Sequence, residues 1–145
     1  MLKNKTKYAI KAVIELAKAE KDTPVRIEDI ARSQNIPKKF LELILIDLRC
    51  LGLLQSKKGK GGGYFLTRKA DKANVGDIIR HFEGPLALLP CASVTQFKTC
   101  DDCRNPNECT LRLVMRKVRD EAAKVLDHVP IYHLANIKDL RVLLG

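Results

Sequence analysis

Between Cys91 and Cys109 the chain reads CASVTQFKTCDDCRNPNEC, nineteen residues that hold four of its five cysteines. The Asp, Asn, Pro and Thr between them sustain neither a helical nor a strand pattern. No other feature limits the fold as much. Inside a compact domain, a segment of this length with no core of its own is a functional loop, a disordered one, or a loop shaped by what its sulfurs hold. It divides the chain into two parts, each of which must find apolar surface to bury.

Ahead of the loop, Tyr8, Ala9, Ala12, Val13, Leu16 and Ala17 recur at spacings of three and four, which predicts an amphipathic helix with Lys5, Lys7, Lys11 and Lys18 off its apolar face. Asp22, Thr23 and Pro24 break it. Ile27, Ile30 and Ala31 begin a short second helix that ends near Gln34 and Asn35. Pro37 suits the first position of a third, whose stripe is Phe40, Leu41, Ile44, Leu45 and Leu48. A short helix, a tight turn and a longer helix form the helix-turn-helix order. Cys50, at the apolar end of the third helix, reads as a small buried hydrophobe.

Gly52 is expected to close that helix, and Leu53 to Ser56 then look extended. After Lys57, Lys58, Gly59, Lys60 and three more glycines, Tyr64, Phe65 and Leu66 resume a strand. The glycine run matches neither GxGxxG nor GxxxxGK[ST], and a strand follows it, so a hairpin wing is expected rather than a nucleotide loop. Val75, Ile78, Ile79 and Phe82 predict one more short helix, closed by Gly84 and Pro85.

Past Cys109, Leu111, Met115, Val118, Ala122, Val125 and Val129 follow alternating steps of four and three, a heptad seam that Val114 and Leu126 widen. Such a helix lies on its own domain or pairs with a second copy, and pairing is the expectation. Pro130 stops it, and Leu134, Ile137, Leu140, Val142 and Leu143 allow a short final helix. The expected fold is therefore mainly α with a small β-hairpin wing: a winged helix-turn-helix over 1–82, a cysteine-rich loop over 83–110, a dimerisation helix over 111–129 and a C-terminal helix over 130–145.

The formal charge of +10 is concentrated: residues 1–82 carry 18 Lys/Arg against 9 Asp/Glu, and the remainder is almost balanced. A basic half joined to a near-neutral half suggests a polyanion-binding domain with a sensing or assembling one. Lys38, Lys39 and Glu42, at the head of the third helix, are placed for base edges, where lysine meets guanine O6/N7 or a phosphate and glutamate accepts from cytosine N4. Lys57, Lys58 and Lys60 are expected at phosphates or in the minor groove. Each charge alone reads equally well as ordinary helix solvation; helices, wing and charge together favour DNA.

At 145 residues the chain can build one core without staples. Its basic, apolar N-terminus is interrupted by Lys11 and Glu15 and is read as a helix, not a signal peptide; no stretch suits a membrane span. A soluble cytoplasmic protein is expected, and in that reducing setting clustered cysteines favour metal or redox chemistry. The pattern C-x8-C-x2-C-x5-C supplies soft ligands for zinc or an iron–sulfur cluster. With a single CxxC, Cys100 and Cys103, zinc is the weaker reading, and a metal-free redox pair stays open. His81, His128 and His133 have no catalytic context, so no enzyme is expected.

KYAIKAVIELA, then IEDIARSQNIPKKFLELILIDLRCLGLLQSKKGKGGGYFLTRKA, then the cysteines and the long helix, resemble the winged-helix regulators of the family that includes IscR, NsrR and CymR. The resemblance covers almost the whole chain. It implies a homodimeric transcription factor on a palindromic operator, with crossed long helices and a loop that binds a cluster, typically 2Fe-2S and sometimes 4Fe-4S, in response to redox, iron–sulfur status or nitric oxide. Carried over by position, Pro37, Lys39, Phe40 and Glu42 fall in the recognition segment, Glu42 at a glutamate linked to choice between DNA sites, and Lys58 at a basic wing residue. Cys91, Cys103 and Cys109 match the three family cysteines. Where IscR-like members place a histidine ligand this chain has Arg112, and where NsrR-like members use a carboxylate of the partner's first helix it has Lys7. Cys100 is accordingly the expected fourth ligand.

Overall fold

In the computed structural model, residues 1–138 are described. Six helices and one hairpin follow in the order α1 (Asn4–Lys18), α2 (Ile27–Gln34), α3 (Lys38–Cys50), β1 (Leu54–Lys57), β2 (Gly63–Leu66), α4 (Val75–Glu83), α5 (Thr110–Asp127) and α6 (Ile131–Asn136). Short 3-10 turns at Arg68–Lys72 and Pro90–Ala92 were not legible in the pattern. Leu140, Val142 and Leu143, assigned to a final helix, lie outside the described residues.

The predicted stripes build the core. Ala9, Ala12, Val13 and Leu16 of α1 pack with Ile30 of α2 and with Leu41, Ile44, Leu45 and Leu48 of α3. Asn35 takes a left-handed conformation after α2, turning the chain so that Ile36 is buried before α3 starts. Pro37 caps α3 instead of occupying its first turn, a shift of one residue. Cys50 is exposed, contrary to expectation. At about 100° per residue, position 50 lies on the side of α3 opposite Leu48, which carries the buried stripe.

The strands pair antiparallel, Leu54 with Leu66 through Lys57 with Gly63. Val25 makes an isolated bridge on the other edge of β2 by exchanging hydrogen bonds with Tyr64, both 2.8 Å, which ties the wing to the entry of α2. A Cβ on Gly63 would collide with the Val25 carbonyl, so glycine is required there.

Helix α4 begins with a reciprocal capping box, Asn74 with Asp77. Its last residue, Glu83, accepts from the Thr6 hydroxyl and from the Lys3 amide, fastening the start of α1. This accounts for a fully buried Thr6, which apolar periodicity passed over.

Helix α5, about 27 Å long, has no fully buried residue. Its heptad seam straddles two stripes: Met115, Ala122, Leu126 and Val129 turn inward and are half-buried, while Leu111, Val114, Val118 and Val125 face outward. Beyond α5 the chain returns to the core. Val75 donates to the Val129 carbonyl and Ile131 to that of Ala73, Ile131 is buried, and α6 packs on α1.

Candidate nucleic-acid interface and cysteine pocket

Helix α3 stands behind α2 with Lys38, Lys39, Glu42, Leu43, Ile46 and Arg49 exposed along one side. Pro37 is exposed at its head, and Phe40 turns half inward to meet the Tyr8 ring edge-on at 5.7 Å. Lys38 is not free: its ammonium lies 2.6 Å from Glu28 of α2. Each holds the other charged, the Lys38 contact lowering the Glu28 carboxyl and the Glu28 contact raising Lys38. Lys39 and Glu42 have no ion-pair partner among the described residues.

Lys57 ends β1, and Lys58 and Lys60 stand on the exposed tip, closed by the Gly62 amide donating to the Gly59 carbonyl at 3.0 Å. Gly59 and Gly61 have φ of 88° and 74°, conformations that side-chain-bearing residues resist. The tip therefore presents a narrow lysine-edged backbone. His81, His128 and His133 lie on α4, at the end of α5 and on α6.

The cysteine segment closes on the head of α5, with Cys109 as its cap residue. Cys91, Cys100, Cys103 and Cys109 all line one cavity of about 360 Å³. Cys91 is buried and the other three are partly so; the Cys100 and Cys91 sulfurs are 3.7 Å apart. That contact, with burial, raises the Cys100 thiol above its usual value. Among the described residues no three His, Cys, Asp or Glu donors converge closely enough to hold a metal ion. The donor set still fits a thiophilic centre: four soft ligands share one cavity beside a loop without regular structure.

Arg112 has a role that sequence reasoning did not find. Its Nε donates to the Cys91 carbonyl at 2.8 Å and a terminal nitrogen to that of Pro106 at 3.1 Å, while its guanidinium lies 5.3 Å from the centre of the Phe97 ring. The side chain in the histidine position thus staples the two ends of the loop. Two turns further on, Arg119 donates to the Ala92 carbonyl. The signal was available, since Arg112 and Arg119 are one heptad apart on the inward stripe of α5.

A helix-turn-helix whose second helix exposes Lys38, Lys39 and Arg49, followed at once by an exposed, lysine-bearing, glycine-tipped wing, defines a winged-helix DNA-binding regulator. Residues 2–137 match the Rrf2 family, described as iron-dependent transcriptional regulators, and the chain belongs to that family. It is 41% identical over 121 residues, 81% of each chain, to the rrf2-like HTH-type transcriptional regulator of Rhodobacter capsulatus. The CymR regulator of Bacillus subtilis is 31% identical over 95% of this chain and 91% of its own. The solved structure of CymR, called the global cysteine regulator of that organism, aligns with a TM-score of 0.76, covering 96% of this chain and 98% of that one. IscR of T. potens aligns with a TM-score of 0.72 at 26% identity, covering 98% and 95%. The protein is thus a transcriptional regulator of a DNA-binding family, not an enzyme. No helix among the described residues is long and apolar enough to cross a membrane.

Proposed function

We propose that this regulator is a cytoplasmic homodimer that binds a palindromic operator and senses redox, iron–sulfur status or nitric oxide through a cluster on Cys91, Cys100, Cys103 and Cys109. The observation that carries this reading is the common cavity of the four thiols, set at the head of the helix that joins the loop to the winged domain. The match to a family described as iron-dependent supports it. A 2Fe-2S cluster is favoured over 4Fe-4S, with zinc as the alternative occupant. When bound, a cluster supplies a centre that oxidants and nitric oxide can alter. The chain's own part is mechanical: Arg112 and Arg119 bind loop carbonyls, so a change in the loop is felt along α5.

In this proposal residues 1–82 read DNA, with Pro37, Lys38, Lys39, Phe40 and Glu42 in the recognition segment and Lys57, Lys58 and Lys60 in the wing. Residues 83–110 form the sensing loop, 111–129 the dimerisation helix and 130–145 the C-terminal segment. The outward stripe of Leu111, Val114, Val118 and Val125 suits a second copy, because one exposed helix cannot bury it alone. Two recognition helices would then meet half-sites about one DNA turn apart.

The deciding experiment is anaerobic purification with absorption spectra and iron and sulfide analysis, paired with Cys100→Ala. A coloured protein whose cluster is lost or altered in the variant supports the assignment. A colourless protein that takes up stoichiometric zinc overturns it.

The 3.7 Å contact between Cys91 and Cys100 favours a second reading, a metal-free thiol switch. Both thiols would give up their protons, and two electrons would pass to a peroxide or disulfide oxidant as the sulfur–sulfur bond forms. Mass spectrometry of the oxidised protein, and DNA binding that reductant alone restores, would identify it.

A further inference from the structure

Two large aliphatic side chains on the open side of α3 are not used by the core: Leu43 is 58% exposed and Ile46 is 46% exposed. They stand one helical turn apart and continue to the exposed Cys50, a ridge about 10 Å long. Lys39 and Glu42 lie beside its N-terminal end and Arg49 near its C-terminal end, all exposed.

We propose that Leu43 and Ile46 read thymine by packing on its C5 methyl groups in the major groove, an inference that rests on operator binding through α3. Single exposed aliphatic residues are ordinary, but a pair spaced three apart on the second helix of a helix-turn-helix occupies the face that docking turns toward base edges. An aliphatic group neither donates nor accepts hydrogen bonds. In the major groove the four bases differ in their polar atoms, and thymine alone adds an apolar group, so the methyl is what Leu43 and Ile46 can recognise.

Two observations favour DNA over a protein occupant. Lys39, Arg49 and the wing lysines place positive charge around the ridge, which suits a groove walled by phosphates. The ridge is also far smaller than the roughly 800 Å² per partner that a stable protein interface buries. A longer apolar stripe for that purpose is present on α5.

The test uses the full-length dimer and a duplex enriched by this protein from a randomised library. Thymines are replaced by deoxyuracil one position at a time, which removes the methyl and nothing else. At one or two positions per half-site the wild type is expected to bind about fourfold more weakly for each methyl removed. In Leu43→Ala with Ile46→Ala that loss disappears, while the dependence of affinity on salt, which counts phosphate contacts, stays at the wild-type slope. Wild-type binding that is indifferent to deoxyuracil at every position overturns the inference while leaving operator binding intact. So does a variant found to be monomeric by light scattering, since the ridge would then serve a protein contact. Failure to enrich any duplex overturns the DNA reading itself.

Discussion

Arg80 of α4 and Asp127 of α5 meet through two parallel hydrogen bonds, each 2.7 Å, that join the winged domain to the end of the long helix. The pairing holds the Asp127 carboxyl below its ordinary value of 3.8. Both side chains are about one-third exposed, so solvent screening limits the pair to about 1 kcal/mol. Asp127→Asn is expected to lower stability by about that amount in urea unfolding.

The same pair sets a pH dependence with a definite sign. A carboxylate lowered on folding contributes its full stability above its unfolded value and loses it as pH falls through the native one. Wild-type unfolding midpoints should therefore drop more steeply than those of Asp127→Asn between about pH 5 and about pH 2. Parallel curves would show that the pair contributes nothing.

Gly76 lies inside α4, where helix propensity favours alanine by about 1 kcal/mol. A Cβ there would strike Asp127 and crowd Arg80. The atoms met are side-chain ends that can move aside at the cost of the Arg80–Asp127 pair, about 1 kcal/mol. Gly76→Ala should therefore be close to neutral in the wild type and stabilising in an Asp127→Ala background, where nothing is left to strike, as a double-mutant cycle would show.

How much was visible beforehand follows from which contacts are local. The helices, the turn at Asn35 and the wing were readable because periodicity and glycine placement act over a few residues, as in the stripe Leu41, Ile44, Leu45 and Leu48. Thr6, Gly76 and the Arg80–Asp127 pair depend on partners 77, 51 and 47 positions away, which no spacing rule reaches. The α5 seam was found, but not its division into an inward and an outward stripe, because one helix carries apolar residues for both. Leu43 and Ile46 could have been found by asking which apolar residues of α3 fall off its buried stripe.

Each wing lysine is expected to neutralise one phosphate. Replacing Lys57, Lys58 or Lys60 by alanine should reduce the slope of log affinity against log salt by about 0.9 for each phosphate left without its lysine. Fluorescence anisotropy on an enriched duplex across a salt series measures this. Lys38 should respond differently, since Glu28 already neutralises it; Glu28→Gln is expected to tighten binding, and an unchanged affinity would show that Lys38 stays off the DNA.

Arg112→Ala removes the staple between the Cys91 and Pro106 carbonyls. Limited proteolysis should then cut within 92–108 at least several times faster, while the thermal midpoint of the winged domain changes little. Equal cleavage rates would show that other interactions close the loop.

The backbone pairing of Ala73 and Val75 with Ile131 and Val129 has a further consequence. The chain leaves the winged domain at Gly84 and rejoins it at that pairing, so residues 85–128 are a detour between two fixed posts. Among the described residues, none of this detour belongs to the buried core cluster, and Asp127 at its end reaches the domain through the surface pair with Arg80. An architecture of this kind lets the cysteine-bearing segment change its chemistry while the module that reads DNA stays as it is.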